Sequence, residues 1–175
     1  MATVHVRESG AAYDGQAAGA YLGQQGIPYE FWEADRLGSD LRASNTPSPD
    51  DRKKILDLYA PEISRLKAEK GYVAEDIVLV SAATPNLEPL LNQFRKEHHH
   101  TDDEVRYVVD GSGVFTIRKG RLIFDVTVSA GDLLVVPAYT RHAFDLTPAR
   151  QITCIRVFKD TTGWAAVYEE IPPAG

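Results

Sequence analysis

Beyond Phe94 the chain is cut into apolar runs of strand length, each closed by a turn signal, and nothing else in the sequence limits its fold so strongly. Residues 105–109 lead into Asp110-Gly111-Ser112-Gly113, 114–117 into Lys119-Gly120, and 122–128 into Ala130-Gly131-Asp132. Residues 133–136 stop at Pro137, and 142–146, 152–158 and 164–168 complete the set. About seven short strands, with turns roughly every 8–12 residues, predict a β-sandwich or barrel.

The part before residue 94 reads as mixed α and β. Residues 4–6 predict a short strand, and Asp14 is placed to cap a helix reaching Gln25, ended by Gly26 and Pro28. Residues 29–34 predict a strand. Ser48 is the cap of a helix over 50–59, with Pro49 in its first turn and Ile55, Leu56 and Tyr59 on its inner face. Pro61 opens a further helix through Ile63, Leu66 and Lys70, stopped by Gly71. Residues 77–80 predict a strand, and 87–94 a short helix or turn. With 175 residues the expectation is one domain, 1–93 forming its mixed front part and 94–170 its barrel strands.

Four of the five histidines fall at positions 98, 99, 100 and 142. In extended chain, alternate side chains share a face. His98 and His100 therefore point one way and His99 the other, so His99 is expected in packing and not among ligands. Glu104 has the parity of His98 and His100, and a barrel brings His142 alongside. Three imidazole nitrogens and one carboxylate oxygen suit a borderline divalent transition metal, and they leave two positions of an octahedron open, as a catalytic site requires. His5 is expected to be an ordinary surface histidine.

Arg106 shares the parity of His98, His100 and Glu104. A guanidinium on an interior face is costly unless it meets an anion, so Arg106 either stabilises a substrate oxyanion or pairs with a carboxylate such as Asp103. Phe144 has the parity of His142, which puts it on the metal face. Phe94, Phe144 and Trp164 are read as pocket wall or as core. Arg156, on an otherwise apolar strand, is either a second cation near the site or a salt bridge at the barrel rim. Of Asp102 and Asp103, in a turn, one is expected to hold a ligand histidine.

Charge and composition narrow the partners. A net charge of −6 and a pI near 5.3 disfavour nucleic acid and anionic membrane, which require clustered Lys and Arg. No run of about 18 apolar residues is present, so no membrane span is expected, and the first residues lack an apolar signal core. The single cysteine, Cys154, permits no internal disulfide and fits a cytoplasmic location. Its apolar strand predicts a buried, inert thiol. No long unpaired apolar segment stands out, so the expected state is a monomer.

His98-x-His100-xxx-Glu104-xxxxxx-Gly111, followed by Gly131-xxxxx-Pro137-xxxx-His142, resembles the two motifs of the cupin superfamily. The resemblance implies a double-stranded β-helix, or jelly-roll, barrel with the metal inside. Two turn positions depart from the pattern: Asn92 stands at the leading glycine, and Tyr139 at the glycine after Pro137. Within cupins, Glu97-His98-His99-His100-Thr101-Asp102-Asp103-Glu104-Val105-Arg106 is similar to the signature of the acireductone dioxygenase family. So are Thr140-Arg141-His142-Ala143-Phe144-Asp145, where an aromatic is more usual than Ala143, and the tail Val157-Phe158 with Gly163-Trp164-Ala165-Ala166. This likeness implies a dioxygenase of methionine salvage that cleaves 1,2-dihydroxy-5-(methylthio)pent-1-en-3-one with O₂, holding one Fe(II) or Ni(II) per chain. The iron form would give formate and 4-methylthio-2-oxobutanoate, and the nickel form formate, carbon monoxide and 3-methylthiopropanoate. The ligand set alone also fits a different cupin dioxygenase, a cupin isomerase, or a non-catalytic metal-binding cupin.

Overall fold

The computed structural model describes residues 1–33, 36–42 and 46–168. Its strands are β1 (Thr3–Val6), β2 (Ala12–Asp14), β3 (Tyr29–Phe31), β4 (Ala74–Ser81), β5 (Glu104–Lys119), β6 (Leu122–Ser129), β7 (Asp132–Val136), β8 (Arg141–Leu146) and β9 (Gln151–Phe158). The helices are α1 (Gly15–Gln24), α2 (Ser39–Arg42), α3 (Pro49–Leu58), α4 (Ala60–Lys70) and α5 (Leu87–Phe94), with a 3₁₀ turn at Thr161–Trp164. None of the described helices is long and apolar enough to cross a membrane.

β5 organises the barrel. Its first half pairs with β7 and β9, and its second half with β6 and β8, all antiparallel. The first sheet runs on through β7 to β3 and through β9 to β4; the second runs through β6 to β1 and β2. One strand thus belongs to both walls. This corrects the sequence reading, which placed a turn at Asp110-Gly111-Ser112-Gly113 and two strands around it. The strand instead bulges between Val108 and Asp110. Gly111 continues it at φ +76°, where a Cβ would run into the Gln151 carbonyl, so its turn-forming residues bend a strand without ending it.

Side-chain parity divides the apolar residues into two layers. Val108, Phe115, Ile117, Phe124, Val126, Leu134, Val136, Ile152 and Cys154 fill the barrel with Leu91. The opposite faces of β5, β7 and β9 present Val105, Tyr107, Leu133, Val135, Ile155 and Val157 to Ile55 of α3, Ile63 and Leu66 of α4, and Tyr59 at the junction of the two helices. β7 is buried at every position for this reason: it is covered on both faces, and its sequence is a continuous apolar run instead of an alternating one. Each helix residue so covered contributes about 1.5–3 kcal/mol of apolar burial.

The helix boundaries follow the sequence signals closely. Ser48 and Asp51 form a capping box with Pro49 at the helix start, and Gly71 closes α4 in the left-handed region. Asp14 occupies the cap position of α1 but makes no side-chain capping hydrogen bond. β3 ends at Phe31, short of the expected Ala34, which lies outside the described residues, as do the last residues of the 94–170 segment. The strand expected over 164–168 is absent: the chain makes the 3₁₀ turn and then a single bridge from Val167 to His99. Gly163 explains this. It packs so closely on Asp102 that a Cβ would come within 2.7 Å of the Asp102 Cβ, and its carbonyl accepts from the Thr101 and Asp102 amides. The segment is tied down by the loop ahead of β5, not by a neighbouring strand.

Candidate metal centre

His98 and His100 lie just ahead of β5, Glu104 begins it, and His142 is the second residue of β8. A reciprocal main-chain bridge joins the two histidine segments: His98 N–H donates to the His142 carbonyl at 2.9 Å, and His142 N–H to the His98 carbonyl at 2.8 Å. The imidazole donor atoms of His98, His100 and His142 lie within 4.8 Å of one another. As parity required, His99 faces away, buried, its ring tilted against that of Tyr139 at 5.7 Å.

Main-chain carbonyls set the tautomers. His98 Nδ1 donates to the Lys96 carbonyl at 2.7 Å, His142 Nδ1 to the Thr140 carbonyl at 2.8 Å, and His100 Nδ1 to the Ala165 carbonyl at 3.3 Å. A proton on Nδ1 leaves each Nε2 for the shared space. Glu104 closes the group, with Oε2 2.8 Å from His142 Nε2 and 3.4 Å from His100 Nε2. Glu104 and His142 are only 6% and 2% exposed, so neither charge is held by solvent. Burial alone would lift the Glu104 carboxyl, yet Arg106, His100 and His142 hold it well below the usual carboxylate range. Burial works against a charged His142, but the Glu104 carboxylate outweighs it and raises that imidazole. His98, with more burial than compensation, is lowered. The close approach of His142 Nε2 to the Glu104 carboxylate, 2.8 Å, marks where a divalent cation fits, and the borderline nitrogen and oxygen donors suit a transition metal.

The expected Asp103 contact is not made. Its carboxylate accepts from the Tyr72 hydroxyl at 2.8 Å and from the Ala138 amide at 3.0 Å. It pins the loop after β7 to the segment before β5 and touches no ligand histidine, because main-chain carbonyls already occupy the three Nδ1 positions. Tyr139, in that loop, takes φ +61°. It adopts the glycine-like conformation of the motif position it occupies, and its amide donates to the His100 carbonyl at 2.8 Å.

A cavity of about 290 Å³ opens onto the imidazoles. It gathers the other predicted residues: Arg106, Phe94, Phe144, Arg156 and Trp164 all line it. Arg106 does not pair with Asp103. Its Nε and Nη2 both lie 2.8 Å from Glu104 Oε1, and its Nη1 is buried with no hydrogen-bond partner among the described residues. Arg156 is both things the sequence allowed, salt-bridged to Asp76 through Nε at 2.6 Å and through Nη2, and part of the wall. The Trp164 ring packs against both guanidiniums, 4.8 Å from each. Phe94 and Phe144 meet edge to face at 6.1 Å.

Sequence reasoning missed two parts of this wall. Val78, Val80, Ile152 and Cys154 form an apolar floor; the parity of Arg156 along β9 points to Ile152 and Cys154, but nothing local points to β4. Tyr168 lies tilted against His98 at 5.8 Å, in a segment read as strand. The Cys154 thiol is inert as expected: burial pushes it up to about 12.

Comparison with known proteins bears on the same residues. The model of the ARD/ARD' family matches residues 30–166. The chain belongs to the acireductone dioxygenase family. It is 44% identical over 171 residues to the acireductone dioxygenase of Sulfurihydrogenibium sp. (strain YO3AOP1), covering 97% of this chain and 96% of that one. It is 40% identical over 173 residues to that of Bacillus pumilus (strain SAFR-032), covering 97% and 98%. Among solved structures, the acireductone dioxygenase from Bacillus anthracis with a cadmium ion in its active centre superposes with a TM-score of 0.91 at 38% identity, over 96% of this chain and 98% of that one. The fold is that of a cupin barrel, as the motifs implied, and the likeness runs through both walls and the histidine segments of this family member.

Proposed function

We propose that the chain is a metal-dependent dioxygenase that cleaves 1,2-dihydroxy-5-(methylthio)pent-1-en-3-one with O₂ in methionine salvage. The observation that carries this reading is the Arg106 guanidinium, which lines the same cavity as three imidazoles turned inward by their Nδ1 bonds and whose buried Nη1 has no hydrogen-bond partner among the described residues. An anionic oxygen-rich substrate answers both features; an apolar or cationic one answers neither. The activity named for the similar proteins above supports the choice of an acireductone.

In this reading His98, His100, Glu104 and His142 hold one ion per chain, Fe(II) or Ni(II). That ion supplies Lewis-acid polarisation and a template for the deprotonated enediol. Arg106 is the catalytic cation, binding the substrate oxyanion with Nη1 while its other two nitrogens fix Glu104. Trp164 orients the Arg106 and Arg156 guanidiniums by cation–π contact with both, and Arg156 supplies a second positive wall. Phe94 and Phe144 bind the methylthio end and keep water from the reacting carbons. Asp103 steadies the loop that carries Tyr139 and Thr140. The whole of 1–175 acts as one domain, the front part joined to the site through Tyr72 and Asp103, and works as a cytoplasmic monomer.

The test is anaerobic loading with iron or nickel, then O₂ and synthetic acireductone. Formate with 4-methylthio-2-oxobutanoate from the iron form, and carbon monoxide with 3-methylthiopropanoate from the nickel form, are the expected products. No consumption of acireductone with either metal removes the reading.

A further inference from the structure

We propose that Gly113 is a specificity-determining residue for the tail of the substrate, its missing side chain giving the Phe144 ring its seat in the cavity wall. The inference rests on the proposed acireductone chemistry, with Phe144 as the wall that the methylthio end meets. Gly113 stands buried inside β5, and its φ is not positive. Its backbone is therefore open to any residue, unlike that of Gly111 in the same strand. A glycine inside a strand weakens it and marks a close approach by another group. Here that group is a ring. A Cβ on Gly113 would come within 2.5 Å of Phe144 Cε2, 2.7 Å of its Cζ and 3.1 Å of Ile152 Cδ1.

The direction of the crowding gives it a consequence. Gly113 and Phe115 share a face of β5, and Phe115 is the register partner of Phe144. The Phe144 ring has Phe115 at 5.0 Å, only 2% exposed, and meets Phe94 edge to face. Phe115, Phe144 and Ile152 all line the cavity. A methyl group at 113 would strike the far edge of a ring and the end of an aliphatic chain, both of which can turn, and no backbone. Phe115 has little room to yield in a close-packed interior, so the displaced Phe144 ring moves into the cavity. The room left for the tail is in this way set by an absent side chain on the strand beside Phe144. The metal end is set elsewhere: His142 pairs with Ile117, further along β5.

The experiment uses two acireductones, the methylthio substrate and one whose tail is cut to a methyl group. For the parent and Gly113→Ala, kcat/KM of the Ni(II)-loaded chain is measured beside its Ni(II) content and the anaerobic Kd of each substrate. Gly113→Ala is expected to lose roughly tenfold on the long-tailed substrate, in Kd and KM more than in kcat, the lower end of what one methylene is worth in a hydrophobic pocket. It should stay within about twofold on the short one and keep its Ni(II). In a Phe144→Leu background the same methyl group should shift the ratio of the two substrates by less than about twofold, because the ring it displaces is gone. Equal loss on both substrates, or no loss on either, overturns the proposal, as does a shift that persists undiminished in the Phe144→Leu background. If Gly113→Ala alone does not fold, adding Phe144→Leu must restore folding, and failure to do so also overturns it. If the parent consumes neither acireductone, the proposed function fails instead.

Discussion

Arg106 and Glu104 stand two residues apart on one face of β5 and grip each other, two guanidinium nitrogens lying 2.8 Å from one carboxylate oxygen. The other carboxylate oxygen turns to His142 and His100. The third guanidinium nitrogen is buried and has no hydrogen-bond partner among the described residues, and the residue lines the cavity. A single residue thus fixes a proposed ligand and, in the proposed reaction, would present a cation to the substrate.

This arrangement sets the expected behaviour of Arg106 variants. Arg106→Met should lower kcat/KM by about 10²–10³, the cost of one oxyanion donor, while metal content holds. Arg106→Lys keeps the charge but not the fork, and should fall between the two. Steady-state kinetics alongside metal analysis make the check; unchanged kinetics in Arg106→Met would remove the catalytic assignment.

Adjacent histidines should separate cleanly. His98→Ala, His100→Ala and His142→Ala each remove an imidazole from the inward-facing group and should lose most bound Ni(II) on dialysis. His99→Ala, one residue from two of them but packed on Tyr139, should retain it. Elemental analysis after dialysis decides, and equal loss from His99→Ala would contradict the parity of the segment.

Tyr139 carries a backbone conformation suited to glycine, at φ +61°. The left-handed region costs an ordinary residue about 1–2 kcal/mol, whereas glycine enters it freely. Tyr139→Gly should therefore be more stable than Tyr139→Ala by about 1 kcal/mol, both lacking the ring contact with His99. Urea unfolding of the two variants measures the difference, and the reverse order would show the strain to be relieved elsewhere.

Acid should weaken the β1–β6 seam. Burial alone would raise the Asp125 carboxyl, but hydrogen bonds from Arg7 and Thr116 outweigh it and hold it below its ordinary value. A carboxyl lowered in the folded state adds stability above its unfolded value, near 4, and that contribution disappears as pH falls through the folded value. Metal-free Asp125→Asn should be less stable than the parent at pH 7 and converge with it as pH falls below about 4 and through the folded value. A gap that does not close on acidification would mean the aspartate acts by shape and not by charge.

Much of the site was legible because its signals are local. Parity alone placed His98, His100, Glu104 and Arg106 together and turned His99 away, since two-residue alternation is a property of extended backbone. The same rule placed Phe144 beside His142. Asp110-Gly111-Ser112-Gly113 misled because glycine serves bends and bulges as well as turns, and only the partners on β9 and β6 tell which. Trp164 lines the site although its segment is not the expected strand; the close approach of Gly163 to Asp102 depends on chain separated by 60 residues or so. Asp103 was assigned to a histidine because a carboxylate is the partner that a sequence can display. The carbonyls that took its place belong to Lys96, Thr140 and Ala165, and no side-chain identity announces a carbonyl.

Those carbonyls have a consequence for how such a site endures mutation. Replacing the residue at 96, 140 or 165 changes a side chain and leaves the oxygen where it was. The orientation of each imidazole is therefore insulated from drift at the very positions that impose it, and is exposed only to changes in backbone path. A lineage can rework the surroundings of these histidines extensively before any of them turns over.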